Sequence, residues 1–102
     1  MYAIVYVTAS GKRKAETLCR RIVNEGLAAC GNIFPIHSIY RWKGKIERSE
    51  EVGIFFKTRE DLLLRLTERI KELHEYELPC IISWRIEYGD QEYLNWIKES
   101  TG

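Results

Sequence analysis

Residues Leu27 to Thr58 read LAACGNIFPIHSIYRWKGKIERSEEVGIFFKT, and this stretch constrains the fold more than any other. It forms two long β-runs joined by a tight turn at Lys43-Gly44. The first is rich in Ile, Phe, Tyr and Trp; the second carries Val52, Ile54, Phe55 and Phe56. Glycine beside lysine supplies the positive φ that a hairpin reversal needs. At alternate positions Cys30, Phe34, Ile36, Tyr40 and Trp42 share one side, while Ile33 and Ile39 lie on the other. A strand apolar on both sides expects cover on both sides. A chain of 102 residues has few elements to supply it. The expected source is another copy of the chain.

Register follows the hydrophobic match. A three-residue connection, Lys43 to Lys45, sets Trp42 against Ile46, Ile36 against Val52 and Phe34 against Ile54. A two-residue connection pairs those residues with Lys45, Glu51 and Gly53 instead, so the longer connection is expected. Pro35 cannot donate to a ladder, which places it at a bulge or on an unpaired edge.

The other elements follow from periodicity. Residues 2 to 8 are almost continuously apolar and end at Ser10-Gly11, which reads as a central first strand. Ala15, Leu18, Cys19 and Ile22 recur at helical spacing from about residue 12 to 25, with Ser10 as expected cap and Gly26 as left-handed terminator. Thr58 to Asp61 resembles a capping box before a second helix with its stripe at Leu62, Leu66, Ile70 and Leu73. After Leu78-Pro79, Cys80 to Ile86 form strand four, and Asp90 caps a short last helix carrying Tyr93, Leu94, Trp96 and Ile97. The order β-α-β-β-α-β predicts one α+β, ferredoxin-like domain over residues 1–102. Its antiparallel sheet carries two helices on one face, a long β2–β3 hairpin and a short C-terminal helix.

Charge and cysteine usage narrow the class. Net charge is +1, yet residues 1 to 48 hold nine Lys/Arg against three Glu, and the remainder seven against twelve acids. In a compact domain such asymmetry points to halves that complement each other, and overall neutrality speaks against a nucleic-acid binder. No apolar run reaches the length of a membrane span. The start MYAIVYVTASGK lacks the basic and long apolar regions of a secretory signal, so the cytoplasm is the expected compartment. Three cysteines (Cys19, Cys30, Cys80) without CxxC spacing read as packed thiols, with Cys30 and Cys80 meeting only if strands two and four are neighbours. There is no phosphate loop, no HExxH and no hydrolase-like grouping of Ser, His and acid, so no enzyme is expected.

The motifs resemble the CutA family of divalent-cation-tolerance proteins over nearly the whole chain. They are Leu27-Ala28-Ala29-Cys30 with Asn32, then Tyr40-x-Trp42-x-Gly44-Lys45-Ile46-Glu47, then Glu51-Val52 with Lys57-Thr58. His74-x-Tyr76-Glu77-x-Pro79 and Tyr93-Leu94-x-Trp96-Ile97 follow. The resemblance implies a non-enzymatic homotrimer whose hairpins add to neighbouring sheets. It also implies a response to metal ions, with weak binding of copper or another divalent cation but no required cofactor. The family's bacterial pattern joins a strand-one cysteine to a histidine pair at the end of helix two. Here those positions hold Val7 and Leu73-His74, with Glu75 in place of a proline. Only His74 matches, and the soft sulfur that favours Cu(I) is missing.

His74, near Glu75 and Glu77, therefore reads either as a weak metal ligand or as a helix-end histidine complementing the macrodipole. Cys30, Tyr40, Trp42, Glu51, Lys57 and Glu77 read either as the lining of an inter-subunit cleft for a small anion or metal, or as cross-strand and trimer contacts. Two other functions fit the same element order. A PII-like nucleotide-signalling trimer needs a long loop where this hairpin has a short turn. An RNA-recognition module needs a basic-Gly-aromatic motif that is absent, and Glu50-Glu51 would repel phosphate. Self-association is the expected partnership, with neither nucleic acid nor membrane.

Overall fold

The computed structural model describes residues 1–102. Strand β1 (Tyr2–Ala9) leads into helix α1 (Lys12–Asn24), and strands β2 (Cys30–Trp42) and β3 (Lys45–Arg59) form the hairpin. A short 3-10 turn (Glu60–Leu62) precedes helix α2 (Leu63–Leu73), followed by β4 (Ile81–Arg85) and α3 (Gln91–Glu99). The sheet is antiparallel in the order β2-β3-β1-β4, the ferredoxin-like arrangement with β1 inside.

Alternation on β1 explains its central place. Ala3, Val5, Val7 and Ala9 are buried, joined by Ile54 and Phe56 from β3. Ala15, Leu18 and Ile22 of α1 and Leu66 and Ile70 of α2 close that core. Helix α1 ends in a Schellman arrangement: Gly26, at φ 73°, donates to Val23, and Leu27 donates to the Ile22 carbonyl at 3.1 Å. At its start Gly11 is the cap residue and no side chain caps it, so Ser10 sits one residue too early.

Two further expectations change. The hairpin turns in two residues, Lys43 (φ 49°) and Gly44 (φ 81°), and the register pairs Trp42 with Lys45, Ile36 with Glu51 and Phe34 with Gly53. Positive φ at both turn positions gives the twist that suits a tight hairpin. Gly53 also leaves room for the Phe34 ring, which a Cβ there would meet at 2.7 Å. Turn geometry and that one steric fit override the apolar match. Thr58, expected as a helix cap, is fully buried in β3 and donates its Oγ1 to the Leu27 carbonyl at 2.7 Å. Its hydroxyl ties the β3 end to the segment after α1. Pro35 lies on edge strand β2, where a missing N–H is tolerated without a bulge. Because β2 and β4 are opposite edges, Cys30 and Cys80 do not face each other.

The face away from α1 and α2 carries an aromatic ladder. Phe34 and Phe55 lie 4.8 Å apart by ring centroids, Tyr6 and Phe55 5.6 Å, and Trp84 meets Phe55 edge-on at 6.0 Å. Beyond the body, Lys45 to Glu51 of β3 pair only with β2, since β1 reaches no further than Val52. The hairpin thus leaves the domain as a two-stranded arm with Ile39 71% and Ile46 61% exposed.

Candidate functional site

The candidate residues gather into two clusters and a pair at the hairpin tip. In the first, Cys30 and Lys57 are cross-strand partners at the base of the hairpin. Asp90 accepts from the Tyr93 amide at 3.1 Å, which starts α3 and carries the Tyr93 phenol over the sheet. Lys57 Nζ lies 3.3 Å from Tyr93 Oη and 5.4 Å from the ring centroid, while Cys30 Sγ is 3.9 Å from the same oxygen. An ammonium, a phenol and a thiol share one spot, suited to a small anion or to holding α3 in place.

The second cluster forms where the segment after α2 crosses the end of β1. His74 Nε2 lies 2.7 Å from the Thr8 carbonyl, an acceptor only, so this nitrogen carries the proton. Nδ1 accepts the Tyr76 amide at 3.0 Å. Both ring nitrogens are engaged, and the imidazole acts as a brace between β1 and the following turn. Tyr76 Oη donates to Glu51 Oε2 at 2.6 Å, a short charge-assisted bond. Burial, and then this bond to Glu51, push the Tyr76 phenol well above its ordinary value. Burial and the nearby Glu51 carboxylate also push the Cys80 thiol up, so it is held as a thiol.

Tyr40 joins weakly through Ser49 Oγ, 3.4 Å from its hydroxyl. Glu77 meets only Lys43, at 3.9 Å, with both side chains over 70% exposed. Trp42 sits beneath the Lys43 ammonium at 5.7 Å. Glu51 and Lys57 are six residues apart on β3, roughly 20 Å at strand rise, so the six cleft candidates do not line one cavity within a subunit. Tyr76 and Tyr93, quoted as motif residues but not as site residues, prove to be the hubs. Their partners lie 25 and 36 residues away, beyond any local spacing signal.

A resident metal does not fit these groups within one chain. No three His, Cys, Asp or Glu side chains converge. Val7, at the strand-one position, is fully buried and offers no donor.

The family model for the CutA1 divalent ion tolerance protein matches residues 3–100. The chain belongs to the CutA1 family. The Archaeoglobus fulgidus divalent-cation tolerance protein CutA is 40% identical over 98% of both chains, and its Pyrococcus horikoshii counterpart is 44% identical over 96% of each. Solved CutA structures from A. fulgidus and Thermus thermophilus superpose with TM-scores of 0.96 at 40% identity, covering 98% and 100% of each chain respectively. The family is described by ion tolerance, not by a reaction, and the comparisons give no support to a PII-like reading.

The expected cytoplasmic placement is overturned. The A. fulgidus protein is described as periplasmic, and the rice and Arabidopsis thaliana relatives as chloroplastic. The rice relative is 46% identical, but the match spans 56% of its length. Members of this family are thus described in more than one compartment. No helix here is long and apolar enough to cross a membrane.

Proposed function

We propose that this CutA1 chain works as a rigid, non-enzymatic homotrimer in divalent-cation tolerance, each subunit completing its neighbour's sheet. The observation that carries this is the arm. Isolated two-stranded hairpins are marginal in water. This one extends past β1 with Ile39 and Ile46 bare on one face and Tyr40 43% exposed on the other. The Lys45–Glu51 edge is open on the side away from β2. An open edge with apolar faces is a template for strand addition, and a ring in which each arm is received by the next copy satisfies all of them. The half-buried aromatic ladder, with Trp84 exposed at its edge, is the companion surface.

Divalent cations, copper included, bind weakly in this reading and not through His74, whose two ring nitrogens are held by Thr8 and Tyr76. Light scattering after size exclusion at micromolar concentration tests the assembly: three times 12.1 kDa is expected, and a 12.1 kDa species ends the proposal. Calorimetric titration of copper into wild type and His74→Ala tests the metal reading. Matching weak isotherms are expected; tight binding lost with His74 contradicts the brace role.

A further inference from the structure

Away from the aromatic ladder and the hairpin arm, a cavity of about 370 Å³ opens between α1 and the end of α2. Its lining includes Arg13, Lys14, Thr17 and Arg21 from α1 and His74 and Glu75 from the following turn. We infer that this cavity binds a small polyanion carrying at least two phosphoryl groups.

The placement follows from helix geometry. Arg13, Thr17 and Arg21 are spaced i, i+4 and i+8, so they form one stripe, with the guanidinium-bearing positions roughly 12 Å apart along the axis. The opposing charges are already used. Glu75 forms an ion pair with Lys14. Burial pushes its carboxyl up, but the bonds from Lys14 and Ser10 outweigh that and hold it below the usual carboxylate range. Glu25, which approaches Arg21 at 3.5 Å, is gripped through both oxygens by Arg69 at 2.8 Å. Arg13 pairs with no carboxylate at all, although its carbonyl accepts from Thr17 Oγ1 at 3.0 Å. Helix α1 as a whole carries five basic residues and a single acid, Glu16. The Arg13 fork is therefore free, and that of Arg21 is held only at 3.5 Å by a Glu25 that Arg69 already grips; the two stand at opposite ends of a groove whose volume lies within the roughly 300–1,000 Å³ of small-ligand sites.

Guanidinium forks match phosphoryl oxygens bidentately, and their separation favours a ligand with two anionic ends over a single phosphate. His74 Nε2 and Nδ1 are held by Thr8 and Tyr76, so the imidazole is a neutral wall of the cavity. The cavity lies on the helix layer, opposite the aromatic ladder, and its use does not depend on the assembly proposed above.

Inorganic tripolyphosphate, titrated by calorimetry into the full-length protein at low ionic strength, is the test. Saturable binding with one site per chain is expected, and orthophosphate should bind far more weakly. Arg13→Ala and Arg21→Ala should each weaken tripolyphosphate about tenfold, the effect of one lost charge-assisted contact. Arg65→Ala, an exposed cation of α2 outside the cavity, should leave affinity unchanged. The inference is overturned if wild type shows no saturable binding or if both α1 variants bind as wild type does. It is also overturned if Arg65→Ala loses as much, or if single-stranded RNA binds with losses spread evenly over all the α1 cations, which would make this a general basic surface. Circular dichroism of each variant separates loss of the site from loss of the fold.

Discussion

Replacing Gly53 with alanine tests the hairpin register, because the two possible registers predict opposite signs. In a strand interior with open space, Gly→Ala stabilises by about 0.5–1 kcal/mol through lower backbone entropy in the unfolded chain. In this structure a Cβ at Gly53 meets two atoms of the Phe34 ring at 2.7 Å and the Tyr6 ring at 3.1 Å. The ring has little freedom to retreat, since it packs 4.8 Å from Phe55 and 6.3 Å from Tyr6. Overpacking of this kind costs roughly 1–3 kcal/mol, so the net expectation is destabilisation. Urea unfolding, at one protein concentration because assembly contributes to stability, gives the midpoint and slope for wild type, Gly53→Ala, Phe34→Ala and the double variant. Removing the Phe34 ring should relieve the clash, making the double variant more stable than the sum of the single effects by about 1 kcal/mol or more. A stabilising Gly53→Ala, or strictly additive effects, would refute the placement of Phe34 over Gly53 and the two-residue turn with it.

Other outcomes follow from single contacts. Asp90→Ala removes the only side-chain cap on α3 and should cost about 1 kcal/mol, seen as faster hydrogen exchange in Gln91–Glu99 and a shifted urea midpoint. Tyr76→Phe leaves Glu51 without its 2.6 Å donor and should cost roughly 1.5–3 kcal/mol in urea unfolding; a neutral result would mean water serves Glu51 equally well. Glu75, with its carboxyl held low in the folded protein, favours folding above the ordinary Glu value of 4.5, and that contribution is lost as pH falls through its lower folded value. Glu75→Gln should therefore lower stability at neutral pH and flatten the acid side of the stability–pH curve below 4.5, so that the two curves converge in acid. An acid limb identical to wild type would refute the Lys14–Glu75 pairing.

Those contacts also show why some of the architecture was legible in the residues and some was not. The apolar run of β1, the Leu18–Ile22 and Leu66–Ile70 stripes, Gly26 as helix terminator and Asp90 as cap are local signals, and local physics decides them. Thr58 misled because a threonine before acidic residues suits a helix cap, whereas its hydroxyl serves the Leu27 carbonyl 31 positions away. The register misled because matching apolar partners assumes that the hairpin buries itself, while Phe34 needs the empty face of Gly53. The candidate site was half visible. Cys30 with Lys57, and Glu51, were singled out from the sequence, but the phenols of Tyr93 and Tyr76 that join them come from distant segments. His74 stood out as a candidate ligand; no spacing rule foretold that Thr8 and Tyr76 would hold both its nitrogens.

Hydrogen exchange along the β3 segment Lys45–Glu51 most directly asks whether sister subunits finish the arm. In a lone chain the amides of this segment that point away from β2 have no partner, because β1 pairing stops at Val52. Strand addition from a neighbour predicts protection of those amides comparable to the Ile54–Phe56 core, falling on dilution below the assembly range. Exchange at the rate of an open edge, in protein at micromolar concentration, would contradict it.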